Sequence, residues 1–527
     1  MRPIIQTNIT QQTIWQSLTL NPLPTNIAAT PIANAVLDNR DCGPGDLFVA
    51  LAGPHDDGHN YIGDALQRGA EAILCQSHGV AQAQNNGATI LDLRSTIHDS
   101  DRENSAIVNQ KSKIKNPYAY IVDDTTAALQ KIAKYHRLYN CDPALKVIGI
   151  TGSVGKSSTK ELVAVVLNQR GETLHNPGNL NSEQGLPFTL LNLGPQHCYA
   201  VLEMGMYARG ELETLCDLAQ PQVGIVTNVG ISHLSRLGTV ENIALAKAEL
   251  VQSLPPAEDG GVAILNWDDK RVRAMAQQTA ARVMSYGLTP DAELWADSIE
   301  SAGYSGIRFD LHHRDPVSGV VTDIEDIALP LLGRHHAYTA LCAAAAGITY
   351  GLSWADIRAA LESPQHELRL VLVPGLNGTT LIDDTYNSSP VSGQAALDLL
   401  ADLQPDGNGR RIALLGDMLE LGQQSEAGHH RVGQYAANVA DLLFTVGELG
   451  QQIGQAALQT GYPAQQVQMF PDDRAAIISL QALFQPNDLL LIKGSRAIGM
   501  DKIVEALRQP PATSNQQPIT NNQPENG

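Results

Sequence analysis

Paired cysteines are missing from this chain. Its six cysteines, Cys42, Cys75, Cys141, Cys198, Cys216 and Cys342, are scattered through 527 residues without one C-x-x-C spacing. That excludes a disulfide framework and a structural zinc site of the usual pattern, and it points to a reducing compartment. Basic charge is scarce as well. Lys and Arg number 35 against 55 Asp and Glu, a formal net charge of −20, which excludes a nucleic-acid partner because such affinity comes from cations neutralising phosphates. A small phosphorylated substrate needs no more than a local positive site. No stretch reaches the roughly 18 apolar residues of a spanning helix. The opening "MRPIIQTNITQQTIWQSL" lacks the apolar run of a signal peptide. A cytoplasmic protein with no membrane span is therefore expected. Internal repeats of fixed period are absent too.

What is present suffices for folded cores: 43% of residues are hydrophobic and 17% charged, ordinary values for a globular protein. The length exceeds what one core organises, since chains divide at around 250 to 300 residues, so three domains are expected. Residues 1–142 carry short strand-like runs such as "GDLFVALAG" and "GAEAILCQ", a small α/β domain. Within it, residues from about 94 to 116 are polar and aperiodic, the composition of a surface insertion. From "LKVIGI" onward, residues 143–363 alternate apolar strands ("KVIGI", "YAVLEM", "VGIVTNV", "GVAILN") with helical stretches, the pattern of a mostly parallel sheet. An Ala-rich helix is predicted at about 336 to 350. Residues 364–508 repeat the α/β pattern with "TTLIDD", "RIALLGD", "LLFTVG" and "DLLLIKG". The tail, 509–527, has no Lys or Arg and is expected to be disordered.

Chemistry concentrates first in "ITGSVGKSST", residues 150–159. A β-branched strand enters a glycine turn and then a helix, the context in which backbone N–H groups and a helix N-terminus cradle phosphate. In such a loop Lys156 reaches the β/γ-phosphates and the Ser157 hydroxyl ligates Mg²⁺. The loop is shorter than the general form, because Gly152 stands three rather than five positions before Gly155. Downstream strands end in polar residues, at the edge where open parallel sheets bind ligands. "YAVLEMG" ends in Glu203, and "VGIVTNVGISHLSRLG" carries Asn228 and His233. A carboxylate so deep in an apolar strand must be paired or bind metal.

The short loop, Thr151 to Ser157, resembles the T-G-[ST]-x-G-K-[ST] form of the Mur ligase family. Further stretches match that family in order: "DNRDCGPGDLFVALAG", "NPGNLNSEQGLP", "VLEMGMYARGEL", "NVGISHL", "IALAKAEL", "IDDTYNSSP", "LLGDMLELG" and "LLIKGSRAIGMD". They run from about residue 38 to 502. The resemblance implies an α/β chain of three domains: an N-terminal substrate domain, a central P-loop ATPase-like domain with a mostly parallel sheet, and a C-terminal Rossmann-like domain. It also implies an ATP-dependent ligase that activates a carboxylate as an acyl phosphate. The family member nearest in motifs joins D-alanyl-D-alanine to UDP-N-acetylmuramoyl-tripeptide, a step of peptidoglycan precursor synthesis. Those two molecules are then the expected partners, with the enzyme a monomer.

By the same resemblance Gly152, Ser153, Val154, Gly155, Lys156, Ser157 and Ser158 hold ATP. One Mg²⁺ falls to Ser157 and Glu203, and a second to Glu203, His233 and a carbamylated Lys247. Read on its residues alone, Lys247 is a solvated lysine on an Ala-rich helix. Carbamylation would convert it to the hard-oxygen ligand Mg²⁺ prefers. Asp38 and Arg40 resemble the element that takes the UDP-muramoyl group, with Asn39 in place of its hydroxyl residue. Asn179 and Asn181 resemble residues lining the sugar-peptide side, or are turn-forming asparagines. Arg369 and Asp384 resemble residues that close over the nucleotide. Tyr386, Asn387, Asp417 and Lys493 resemble C-terminal cleft residues, a surface ion pair being the alternative for the last two.

One departure stands out. The family's G-R-H-N-x-x-N-A reads "GRHHAYTA" here, with His336 and Thr339 in the asparagine places beside the adenine, so neither position carries an amide's paired donor and acceptor. Relaxed nucleotide preference is the expectation. Two rivals remain at this stage. One is a Mur-type ligase for another amino acid or for folate glutamation. The other is a nucleotide-binding regulatory protein without catalysis.

Overall fold

A computed structural model describes residues 7–53, 56–94, 117–364 and 371–510. The insertion expected at 94–116 lies outside them except for Arg94, and so does Arg369. Of the tail, Gln509 and Pro510 are described, and the Gln509 N–H donates to Pro374 O at 2.7 Å. Two compact units divide the chain: Met1–Leu368 with Glu420–Gly422, and Arg369–Leu419 with Gln423–Gly527.

The first unit contains two sheets. Five parallel strands stand in the order Ala35–Val36, Leu47–Val49, Ala72–Cys75, Tyr118–Ile121, Thr89–Asp92. The second sheet has nine, ordered Val321–Leu329, Ile307–Arg314, Leu294–Ser301, Arg282–Gly287, Val262–Asn266, Val223–Val226, Lys146–Thr151, Tyr199–Glu203, Thr173–His175. Its inner strands read as nearly continuous apolar runs because helices cover both faces. Lys146–Thr151, for example, is buried at every residue after Lys146. On one face the apolar core runs unbroken from Trp15, Leu47 and Tyr120 to Leu202, Leu215 and Leu250, so the two sheets of this unit share it. On the other face the helices Lys156–Asn168 and His336–Thr349 pack over Ile148, Ile150 and Ile225.

Every strand drawn above for the central and C-terminal segments is present within a residue or two, except that "VGIVTNV" runs three residues past the strand end at Val226. Among the described residues seven more were not foreseen: Thr173–His175, Arg282–Gly287, Val371–Pro374, Val467–Phe470 and three that follow one another in a block. Leu294–Ser301, Ile307–Arg314 and Val321–Leu329 extend the central sheet, and the last two pairings are antiparallel. The sequence of the first two, "LWADSIESAGYSGIRFDLHHRD", is half polar because the outer face meets solvent, so it lacks the apolar runs that reveal the inner strands. Within this extension His312 stacks on Trp295 at 5.0 Å. Its Nδ1 pairs with Asp323 at 2.7 Å and its Nε2 with Asp297 at 3.3 Å.

Burial alone would lower the His312 pKa, but hydrogen bonds to Asp323 and Asp297, with their charges, raise it above 6.5. A pKa raised on folding stabilises the native state fully below the unfolded value, and that contribution disappears as pH rises through the folded value. His312→Gln is therefore expected to lower Tm in mildly acid solution and to change it little in mildly alkaline solution. Thermal melts from about pH 5 to 9 read this directly, and parallel curves for the two proteins would remove the coupling.

The second unit holds one sheet of six strands: Val371–Pro374, Thr380–Asp384, Leu489–Lys493, Arg411–Gly416, Leu442–Val446, Val467–Phe470. All its pairings are parallel except the first. Helix Pro390–Asp402 follows Thr380–Asp384, with Pro390 at its first turn and a Ser389–Ser392 capping box at its start.

Candidate functional site

Lys146–Thr151 lies between Tyr199–Glu203 on one side and Val223–Val226 on the other. Successive connections leave it in opposite directions, so its carboxyl end opens into the crevice that a doubly wound sheet uses for ligands. The loop Gly152–Gly155 leads from that end into helix Lys156–Asn168. Two glycines make the turn possible. Gly152 has φ +151°, and a Cβ there would stand 1.8 Å from Thr227 Oγ1; Gly155 has φ +87° and starts the helix in the left-handed region.

The loop is held from the neighbouring strand end. The Asn228 side chain accepts from the Val154 N–H at 2.9 Å and donates to its carbonyl at 2.9 Å, and Thr227 Oγ1 donates to the same carbonyl at 2.7 Å. Ser153 Oγ accepts from the Gly230 N–H at 2.8 Å. Lys156 Nζ arches over the loop to the carbonyl of Gly152 at 2.9 Å. Because Thr227 fills the space a side chain would take, Gly152→Ala is expected to destabilise the chain by about 1–3 kcal/mol through overpacking and to weaken nucleotide binding. Urea denaturation checks it: an unchanged midpoint would mean that Thr227 can give way.

Glu203 meets the loop at the end of its strand and is 1% exposed. Ser157 Oγ donates to Glu203 Oε2, and Asn181 Nδ2 donates to Oε1 at 2.7 Å. Asn181 is therefore a brace on this carboxylate. Asn179, by contrast, is exposed and contributes its main-chain oxygen to the turn.

Lys247 stands on helix Val240–Gln252, which Thr239 caps by accepting from the Asn242 N–H at 3.1 Å. The buried stripe of that helix is Ile243, Ala246, Lys247, Leu250 and Val251, spaced at helical intervals. Lys247 is 2% exposed, which overturns the solvated-surface alternative. Among the described residues no oxygen accepts a hydrogen bond from its Nζ. Burial first, and the nearby Lys156 charge second, push its pKa well below 10.5.

His233 adopts φ +62° just before the short helix Leu234–Leu237, and its Nδ1 lies 2.7 Å from Glu420 Oε2 of the same unit. Burial is the largest influence on His233 and lowers its pKa. Glu420 opposes that, while Lys156 and Lys247 add to it. Lys156, Ser157, Glu203, His233 and Lys247 are thus drawn into one electrostatic neighbourhood by loop, strand ends and helix.

Elsewhere in this unit His336 and Thr339 are both buried one turn apart, with His336 Nδ1 3.2 Å from Thr339 Oγ1. Asp38 and Arg40 pair with each other at 2.5 Å, and Asn39 Nδ2 donates to Asp64 at 2.6 Å. A second cluster, Asp57, His59 and His78, has the donor set of a metal centre. However, His59 Nε2 accepts the Gln76 N–H at 2.9 Å, which places the ring proton on Nδ1, 2.6 Å from Asp57. With both nitrogens engaged, His59 is a structural clasp.

In the second unit the strand register sets Asp384 beside Lys493. Lys493 Nζ, 2% exposed, donates to Asp384 Oδ2 at 2.6 Å and to the Asn387 carbonyl at 2.8 Å. Arg496 lies over the Tyr386 ring at 5.2 Å. Asp417, at the next strand end, accepts from the Gly450 N–H at 2.7 Å and so anchors the start of helix Gly450–Gln459. Sequence reasoning brought these residues to one sheet edge, but it missed Thr227, which locks the loop, and Asn176 and Lys160, which stand behind Glu203.

Three domain profiles match the chain: Mur ligase family, catalytic domain, over residues 31–137; Mur ligase middle domain over 150–347; and Mur ligase, glutamate ligase domain, over 368–496. The UDP-N-acetylmuramoyl-tripeptide–D-alanyl-D-alanine ligase of Mycobacterium tuberculosis is 34% identical over 497 residues, covering 89% of this chain and 91% of that protein. The enzyme of the same name from Bacillus subtilis is 31% identical, covering 92% and 94%. Among solved structures, MurF from Acinetobacter baumannii superposes with a TM-score of 0.73 at 28% identity, covering 95% of this chain and 99% of that one.

Proposed function

The chain belongs to the Mur ligase family, and from that premise we propose that the crevice beside Gly152–Ser157 and Glu203 is where it activates a carboxylate with ATP. The chain is an ATP-dependent, amide-bond-forming ligase that joins D-alanyl-D-alanine to UDP-N-acetylmuramoyl-tripeptide in peptidoglycan precursor synthesis. The observation that carries the site is the junction of loop and strand end, where Ser157 and the buried Glu203 carboxylate meet at the start of the loop's helix.

A carboxylate is a poor acyl donor because oxide would have to leave. Transfer of the γ-phosphoryl group to a carboxylate oxygen gives an acyl phosphate and ADP. The free amine of D-alanyl-D-alanine then attacks the carbonyl carbon, a tetrahedral intermediate forms, and phosphate departs with the bond to the carbonyl carbon. Catalysis of the first step is mainly positioning and stabilisation of charge on the phosphoryl oxygens. Loop N–H groups and Lys156 supply that stabilisation, and the Thr227 and Asn228 contacts keep the loop pre-formed.

The donor set also suits magnesium. Ser157 and Glu203 offer hard oxygens for one ion. Glu203, His233 and a carbamylated Lys247 offer a second set, a carboxylate, an imidazole and a carbamate. Bound there, magnesium would neutralise the phosphates of ATP. Buried without a hydrogen-bond acceptor among the described residues, Lys247 is biased toward the neutral amine that can add CO₂. Asp38 and Arg40 are assigned to the UDP-muramoyl group, Asp384 to the nucleotide, and Tyr386, Asn387, Asp417 and Lys493 to substrate. The described residues include no helix long and apolar enough to cross a membrane, and a monomer working in the cytoplasm suits soluble substrates of this kind.

Phosphate release from ATP and Mg²⁺ with UDP-N-acetylmuramoyl-tripeptide, measured with and without D-alanyl-D-alanine, tests the reading. Sustained release that requires both substrates, with a product heavier by the dipeptide, is the expected result. Release indifferent to both would overturn it.

A further inference from the structure

Asn176 and Lys160 are both buried at 1% exposure, and Asn176 holds the main chain of Glu203 while Lys160 holds Asn176. The parallel ladder between Thr173–His175 and Tyr199–Glu203 pairs His175 with Val201 and ends there. Asn176 carries it one step further with its side chain. Its Oδ1 accepts from the Glu203 N–H at 2.8 Å, and its Nδ2 donates to the Glu203 carbonyl at 2.9 Å and to the Leu180 carbonyl at 2.9 Å. One planar amide thus stands in for a peptide group. The Asn176 carbonyl in turn accepts from Lys160 Nζ at 2.6 Å, and Lys160 also pairs with Glu161 at 2.8 Å.

Lys160 sits one turn beyond Ser157 on the helix that begins at Lys156. That helix therefore grips Glu203 twice: at the carboxylate through Ser157, and at the main chain through Lys160 and Asn176. Asn181 holds the remaining carboxylate oxygen. Stability alone does not call for this arrangement, because a buried ammonium loses its hydration and an apolar side chain of equal length packs at no greater cost. What the chain of contacts fixes is position.

We propose that Lys160 and Asn176 are positioning residues that set the Glu203 carboxylate against the Ser157 hydroxyl and thereby the geometry of the magnesium-binding site. The proposal rests on the reading of Ser157 and Glu203 as magnesium ligands. Lys160→Met keeps length and packing but removes the donor. Binding of a fluorescent ADP analogue is titrated with and without Mg²⁺, beside kcat and the half-saturating Mg²⁺ concentration. Mg²⁺-free binding is expected to match the unaltered chain, while the gain in binding that Mg²⁺ confers falls roughly 10- to 100-fold, as when the support behind a metal ligand is lost. Lys160→Arg, which keeps cation and donor, is expected to restore most of the gain.

An unchanged Mg²⁺ gain in Lys160→Met would overturn the proposal. So would a parallel loss of Mg²⁺-free binding, which would mark a general disturbance of the helix. If Lys160→Met fails to fold, Asn176→Asp carries the same test, because it keeps the acceptor for the Glu203 N–H and loses the donor to its carbonyl. Glu203→Gln is the control: if it too leaves the Mg²⁺ gain intact, the fault lies with the assignment of Glu203 as a ligand.

Discussion

Lys156→Ala is expected to cut kcat/KM for ligation by about 10³-fold or more, the scale on which a cation at a transferring phosphoryl group acts. The fold should survive the change. In the structure Lys156 donates to the carbonyl of Gly152 at 2.9 Å and more weakly to that of Ser153 at 3.5 Å, and one such bond contributes about 0.5–1.5 kcal/mol net. The loop itself is held by the side chains of Asn228, Thr227 and Ser153, whose contacts the substitution leaves in place. A near-normal melt combined with lost phosphate release is therefore the signature. Near-normal turnover would remove the loop from the mechanism.

Much of this was legible in the sequence, for physical reasons that differ from residue to residue. The strand around Ile148 and Ile150 declares itself because both faces are buried, so almost every position is apolar. Gly152 and Gly155 declare themselves because the chain turns there through conformations that other residues adopt only with strain. The antiparallel extension at Leu294–Leu329 did not, since a half-solvated sheet carries polar residues that read as loop. Asn176 was hidden more deeply. Its side chain replaces a peptide in a ladder, and an asparagine after a strand before Pro177 looks like any turn residue. Lys160 has the composition of a solvated helix position, and nothing in its neighbours predicts the buried carbonyl it reaches. Lys247, on the other hand, was readable. It follows Ile243 by four and precedes Leu250 by three, which puts it on the apolar stripe. Lysine in that register should have been read as buried.

Burial makes Lys247→Met the second large expected effect: ligation should fall by roughly 10²-fold or more, the loss seen when one preorganised charge-stabilising group is removed, while stability is held or gained. The sign follows from linkage. Folding lowers the Lys247 pKa well below 10.5, so the unfolded chain binds more protons across that interval and stability rises with pH through it. At neutral pH an unmodified Lys247 therefore costs stability, and methionine removes the cost; its advantage should shrink as pH climbs toward the unfolded value. Carbamylation resolves the same conflict differently. The neutral amine adds CO₂ and loses a proton, and the resulting anion faces Lys156 and His233, which oppose an ammonium at that position. Activity of the unaltered protein should accordingly decline after CO₂ is stripped from protein and buffer and return on adding bicarbonate. Lys247→Met should not respond, and ¹³C-bicarbonate should give a carbamate resonance that this variant lacks. Full turnover without CO₂, together with an active Lys247→Met, would remove Lys247 from the mechanism.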